Sequence, residues 1–259
     1  IGTVKEPLAG WIDNIYGSTG VFVGAALGLV RTLHCNRDCL ADIVPADFVV
    51  NCSIAAAWQL NATRKGVEPV IYNYIVSNQN PITWGEVQKH VQQNLITIPT
   101  PLEVWHYCLR LNSYYWVHYL SVIFLHRIPA YVVDFVARCI GKQPLMVQGY
   151  KKLEKFFDVI SYFSTQNWKF HNNNTQQLWR KLNKEDQNLF DFDLDALEWG
   201  SYFYTYARGG RVYVLKDPLD TLPQGKIKYR RLIIAHYILV TILLLCFITL
   251  LMVLWNAIF

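Results

Sequence analysis

Apolar residues change their spacing several times along the first hundred positions, and each change marks an element. At 49–60, VVNCSIAAAWQL places them at helical spacing, with Asp47 ahead as the expected N-cap. VIYNYIV at 70–76 is rich in β-branched and aromatic residues and predicts a buried strand. Thr83 stands three residues before Glu86, the spacing of a capping box, and opens a helix through His90. Strands and helices alternate in this way when helices cover a parallel sheet, so the fold class expected for residues 1–100 is α/β.

The pattern shifts at ITIPTPLEV, where Pro99 and Pro101 break any helix and mark a linker. Leu102 to Tyr119 then repeats apolar residues at helical spacing. YYWVHYLSVIFLH (114–126) and IPAYVVDFVARCI (128–140) are each too short to cross a bilayer, which takes about 20 apolar residues. Arg127 and Pro129 separate them. This predicts a buried helical hairpin, or one dipping into a single leaflet with its Trp and Tyr at headgroup level. Helices are also expected over 151–163, 174–182 and 194–207, the last following Asp193 and closed by Gly209 and Gly210. RVYVLK at 211–216 reads as extended.

From Leu232 to Phe259 there is no Asp, Glu, Lys or Arg. LIIAHYILVTILLLCFITLLMVLW, residues 232–255, is long enough to span a membrane as a helix. The apolar share of 53% over 259 residues owes much to this stretch. Lys226, Lys228, Arg230 and Arg231 precede it and no charge follows, which places the N-terminal side in the cytosol. The same cluster can attract anionic membrane lipids. The net charge of +5 is otherwise modest, and no basic stripe with interleaved aromatics points to nucleic acid. The six cysteines have no framework spacing, which fits free thiols in a reducing compartment. His34, Cys35 and Cys39 lack the second pair a zinc site needs.

STGVFVGAALG at 18–28 resembles a glycine-rich phosphate loop but fails the spacing by one residue, and no hydrophobic strand leads into it. A tight turn over Gly17–Gly20 followed by a helix is expected instead. Gly24, Ala25 and Gly28 then form a small-residue face for close packing. No Tyr has a Lys four residues later, so the phenol–ammonium pair of a proton-transfer helix is absent from this chain. His118 and His126 lie in apolar aromatic runs, where structural histidines are expected. Asp13, Asp42 and Asp47 stand in otherwise apolar sequence. They serve as caps and turn partners, or they join Trp11, Asn14, Gly17 and Gly20 around a cleft at the strand ends.

Three strings together resemble the alcohol-forming fatty acyl-CoA reductases. EPLAGWIDNIYGSTG is similar to that family's KEPxPGWIDNxxGPxG stretch, with Ser18 in place of the usual Pro. LADIVPADFVVNCSIAAAW is similar to its ADxVPVDxVVN–AAAW stretch, with Ala46 for Val. YNYIVSNQNPITWGE is similar to its YN–NPxTWGE stretch. Residues 114–144, 166–199 and 206–217 resemble the family's helical C-terminal region. The resemblance implies a C-terminal half of a Rossmann-like extended short-chain dehydrogenase domain over 1–100. It implies a helical domain over 101–225 and a membrane helix over 232–255. It further implies NADPH as cofactor, long-chain acyl-CoA as substrate and a primary alcohol as product. The setting it implies is a cytosol-facing place on the endoplasmic reticulum or peroxisome membrane. The family's cofactor loop and Tyr-x-x-x-Lys pair are expected upstream of Ile1, so this stretch alone is expected to be inactive. A membrane-tethered acyl-CoA-binding module and a sterol-type membrane reductase are the alternatives.

Overall fold

A computed structural model of the chain describes residues 1–62 and 68–258. Its elements in chain order are α1 (Ser18–Ala26), β1 (Thr32–His34), α2 (Ala46–Ala62), α3 (Trp84–Thr97), β2 (Arg110–Asn112) and α4 (Tyr115–Cys139). There follow α5 (Met146–Ser164), α6 (Asn173–Lys181), α7 (Lys184–Leu189), α8 (Trp199–Gly209) and α9 (Leu222–Ile258). The fold is mostly helical around one small parallel sheet. β1 and β2 pair with Thr32 opposite Arg110, Leu33 opposite Leu111 and His34 opposite Asn112.

The capping box is present as expected. Thr83 accepts from the Glu86 N–H, Glu86 reaches back to the Thr83 N–H, and α3 runs on to Thr97. α1 begins one residue after Gly17, which takes φ +63°, so Gly20 lies inside its first turn rather than in the turn before it. Gly24 of the small-residue face packs against the Val30 side chain, and Gly28, just past α1, packs against backbone. Gly28 has φ +73°, and a Cβ there would stand 2.1 Å from the Trp105 carbonyl oxygen.

Five expectations are corrected. Residues 70–76 form no strand, because side chains have taken their carbonyls. Asn174 Nδ2 donates to Ile71 O at 2.9 Å and Thr175 Oγ1 to Asn73 O at 2.7 Å. Residues 102–114 are not helical but lead into β2. The two short aromatic runs are one helix, α4, joined by a π turn at Ile123–Arg127. Pro129 sits in the first turn after that wider turn, where its missing N–H removes nothing essential. Arg211–Leu215 is no strand either. α8 starts at Trp199 rather than 194, passes through Gly209 and Gly210, and continues as a π turn over Gly210–Val214. Gly209 is needed there for contact: a Cβ would lie 1.7 Å from the Gly10 carbonyl oxygen.

The main core joins both ends of the chain. Phe22, Phe48, Val76 and Val87 pack in one cluster with Leu178, Leu194, Phe203 and Tyr206. The Pro99–Pro101 stretch, expected as a linker, is held at several points. Ile98, Pro99 and Thr100 are buried. Arg211 Nη1 donates to Pro99 O at 2.9 Å, and Lys228 Nζ donates to Pro101 O at 2.7 Å. A second cluster, including Val21, Ala25, Leu33, Tyr107, Leu109 and Phe157, lies under the sheet.

Candidate functional site

Side chains alternate across a strand, so a two-stranded sheet offers two different faces. Here the faces do different work. Leu33, Tyr107, Leu109 and Leu111 point to one side, where α1, α3 and α5 close around a cavity of about 530 Å³. This lies inside the range of about 300–1,000 Å³ typical of small-molecule pockets. Val21 and Phe22 of α1, Val87 and Val91 of α3, and Ile160 and Phe163 of α5 complete its apolar walls. Thr32, His34 and Asn112 serve the opposite face. Thr32 Oγ1 lies 3.2 Å from His118 Nδ1 of α4, Asn112 Nδ2 donates to Thr32 Oγ1 at 2.8 Å, and the His34 and His118 rings stack at 5.9 Å. His118 and His126 are thus structural, as expected from their surroundings.

The polar groups of the cavity are few. Gln88 Nε2 is committed to Leu109 O at 2.7 Å and Ser164 Oγ to His34 O at 3.1 Å. Three other lining residues, Trp84, Tyr107 and Trp168, each bury a polar atom that has no hydrogen-bond partner among the described residues. Each is a donor, and a carbonyl brought into the cavity would satisfy one. Burial pushes the Tyr107 phenol up to about 12 and the Cys35 thiol up to about 12, so both stay protonated at neutral pH. The described lining residues include no Lys, Arg or His. Desolvation outweighs the lowering effect of Gln88 on the Tyr107 phenol, so it is held above its ordinary range rather than tuned toward a proton donor.

Of the residues singled out from sequence, Gly17 and Asp42 line this cavity. Asp42 Oδ1 accepts from the Ser77 N–H at 2.9 Å, which ties down the segment leading to α3. Trp11, Asp13, Asn14, Gly20 and Asp47 are not on its walls. Asp47 is not an N-cap but a first-turn residue of α2. Its carboxylate accepts the N–H groups of Val4, Lys5 and Glu6 at 2.8–3.2 Å and so fixes the N-terminal segment. Trp11 pairs with Thr3 through its backbone, Asn14 Oδ1 accepts from the Tyr16 N–H, and Asp13 is exposed. Gly20 is held against the Ile15 carbonyl. The cavity residues of β2 and α5 were missed. The alternation in YCLRLN at 107–112 was their signal, masked by the helical spacing around it.

Two family models, both described as male sterility protein, match this chain: an NAD-binding model over residues 1–53 and a second over residues 125–217. Fatty acyl-CoA reductase wat of Drosophila melanogaster is 36% identical over 237 residues, covering 92% of this chain and 46% of that protein. Fatty acyl-CoA reductase 1 of Homo sapiens is 33% identical over 222 residues, 86% of this chain and 43% of the relative. Fatty acyl-CoA reductase 2 of Mus musculus is 33% identical over 248 residues, 94% and 47%. The chain belongs to the fatty acyl-CoA reductase family. It spans about half the length of the curated relatives it matches.

The NAD-binding model points to a nicotinamide cofactor, and the residues of the cavity can be tested against one. A dinucleotide brings a pyrophosphate, which needs cations or a helix N-terminus fed by a strand. The described lining residues supply no Lys, Arg or His side chain, and a turn rather than a strand leads into α1. These walls fit an apolar chain with one carbonyl and do not fit the phosphates of the cofactor.

Proposed function

We propose that this chain forms the acyl-chain site of an enzyme that reduces long-chain acyl-CoA thioesters to primary alcohols with NADPH. One observation carries the reading: an apolar cavity of about 530 Å³ in which, among the described residues, the uncommitted buried polar atoms are three donors. Burial of the chain against Val21, Phe22, Val87 and Val91 supplies affinity, at roughly 25 cal/mol per Å² of apolar surface removed from water. A donor from Trp84, Tyr107 or Trp168 orients the carbonyl. The overall conversion takes two hydrides and two protons and releases the free thiol. NADPH is the hydride source in this proposal, and no cavity residue is assigned to hold it. α9 anchors the protein, with the Lys226–Arg231 flank on the cytosolic side.

Burial that holds the Tyr107 phenol protonated within apolar walls favours a second reading, a tethered acyl-CoA-binding module without chemistry. One experiment separates them. Membranes from cells expressing the whole enzyme that carries this chain are given radiolabelled palmitoyl-CoA and NADPH, and hexadecanol is measured beside binding of a fluorescent fatty acid. The reductase reading expects alcohol in excess of untransfected membranes. Binding with no alcohol supports the module, and failure of both removes the acyl site.

A further inference from the structure

We propose that the outer face of α4 lies in the interfacial layer of a lipid bilayer, parallel to the membrane and alongside the point where α9 enters it. The inference extends the membrane reading of α9. It starts from how α4 sorts its side chains. Its His, Arg and Asp residues up to Asp134 all find partners on the protein side. His118 meets Thr32 on the sheet at 3.2 Å. His126 is fully buried, and its Nε2 accepts the Arg31 N–H at 3.0 Å. Arg127 makes two hydrogen bonds to Glu154 of α5 at 2.8 and 3.0 Å. Asp134 accepts from the N–H groups of Met146 and Val147 at the start of α5.

The opposite face carries none of this. Trp116, Leu120, Phe124, Ile128, Tyr131 and Phe135 recur at three- and four-residue steps and are all exposed, Phe124 by 64% and Phe135 by 67%. They form one stripe along a 25-residue helix about 37 Å long. A monomeric soluble surface seldom shows so large an apolar strip. A spanning helix would have to put His126 and Asp134 in the hydrocarbon. A helix lying in the surface keeps both against the protein and submerges only the stripe. Its ends suit that depth. Tyr114, Tyr115 and Trp116 sit at one end, and Arg138 and Lys142, both exposed, at the other, where their stems can reach headgroups.

The occupant is lipid rather than another protein because α4 is held to the membrane helix. Arg31 Nη1 donates to Leu125 O at 3.2 Å in the middle of α4. The same guanidinium lies 5.7 Å from the centre of the Trp105 ring. Trp105 and His106 contact the His236 ring of α9 at 6.0 and 4.2 Å. His236 lies at the start of the charge-free stretch of α9, which is exposed along its length. Seating that stretch in a bilayer therefore brings the centre of α4 to the membrane surface.

The test uses the full chain in liposomes of phosphatidylcholine and phosphatidylserine. Exposed Cys139 and Cys246 are replaced by Ser, and an environment-sensitive fluorophore is placed by Phe124→Cys, Phe135→Cys, Leu250→Cys or Gln92→Cys. Quenchers are aqueous iodide, a lipid nitroxide near the headgroup and a lipid nitroxide near the bilayer centre. The expected result is several-fold stronger quenching of positions 124 and 135 by the shallow nitroxide than by the deep one or by iodide. Position 250 should favour the deep nitroxide and position 92 iodide. Iodide quenching at 124 and 135 equal to that at 92, with 250 still in lipid, overturns the proposal for α4 alone. Iodide quenching at 250 as well overturns the membrane reading of α9 with it. Protection of 124 and 135 from all three quenchers would mean a protein partner and would also overturn it.

Discussion

His126 accepts the backbone N–H of Arg31 through Nε2 at 3.0 Å, which fixes the ring as the neutral tautomer protonated on Nδ1. The same ring stacks on Tyr150 with centroids 4.9 Å apart. His126→Phe keeps the stack and removes the acceptor, leaving a buried N–H unpaired. The expected cost is about 1–3 kcal/mol. A lowered thermal midpoint in detergent, measured by near-ultraviolet circular dichroism, is the predicted outcome. A midpoint unchanged from the wild type would show that this bond contributes nothing.

Glu103 gives the protein a pH-dependent stability. Burial raises its carboxyl from an ordinary 4.5 to about 7, against the pull of the Thr100 N–H, Lys228 and Arg211. The folded state therefore keeps this proton at pH values where the unfolded chain has lost it. Stability from this group is full below about 4.5 and declines as pH rises through about 7, by at most about 3 kcal/mol. Glu103→Gln should flatten that decline. Denaturant midpoints at about pH 5 and about pH 8 provide the check, and equal slopes in wild type and variant would contradict it.

A buried ion pair locks the start of α9. Arg211 Nε and Asp217 Oδ2 are 2.7 Å apart, both almost wholly buried. Thr100 and Thr221 also donate to the Asp217 carboxylate. Asp217→Ala strands the guanidinium and should cost about 3–5 kcal/mol, whereas replacing both partners by apolar residues should cost much less. A double-mutant cycle on unfolding free energy reads this directly. Additive single costs would show that the two residues are not coupled.

The cavity should set chain length. Val87→Trp fills space between α3 and the sheet, in a wall where added volume cannot be absorbed without displacement. The expected outcome in the whole enzyme is a preference shifted toward shorter acyl-CoA, with loss on palmitoyl-CoA of about tenfold or more, as removal of a few kcal/mol of chain binding implies. Turnover measured across a chain-length series decides it. An unchanged profile would place the acyl chain elsewhere.

Much of this was legible where one residue type has one physical use. The Thr83–Glu86 box, the helical run at 49–60 and the uncharged stretch after Arg231 all read directly. The failures share a cause. VIYNYIV has strand chemistry, but Asn174 and Thr175, a hundred positions away, take its carbonyls. RVYVLK looks extended, yet Arg211 is drawn into a buried pair with Asp217 that holds the turn helical. Pro129 by its chemistry ends a helix, yet a π turn just before it lets the helix continue. At the site, the strings that resembled a family placed the chain correctly but drew attention to the acids. Asp42 and Asp47 fasten loops, Asp42 from the cavity wall, while most of that wall is apolar residues whose one local signal was the alternation at 107–112.

The shared sheet has a consequence for how the chain can change. Thr32 and Asn112 serve α4, while their neighbours Leu33 and Leu111 serve the cavity. Because faces swap with every residue, inserting or deleting one position would aim Thr32 of β1 or Asn112 of β2 into the cavity and turn Leu33 or Leu111 toward α4. Substitutions that respect parity can retune one side without touching the other. Length changes cannot, so insertions and deletions among descendants of this chain should collect in the loops and spare 32–34 and 110–112.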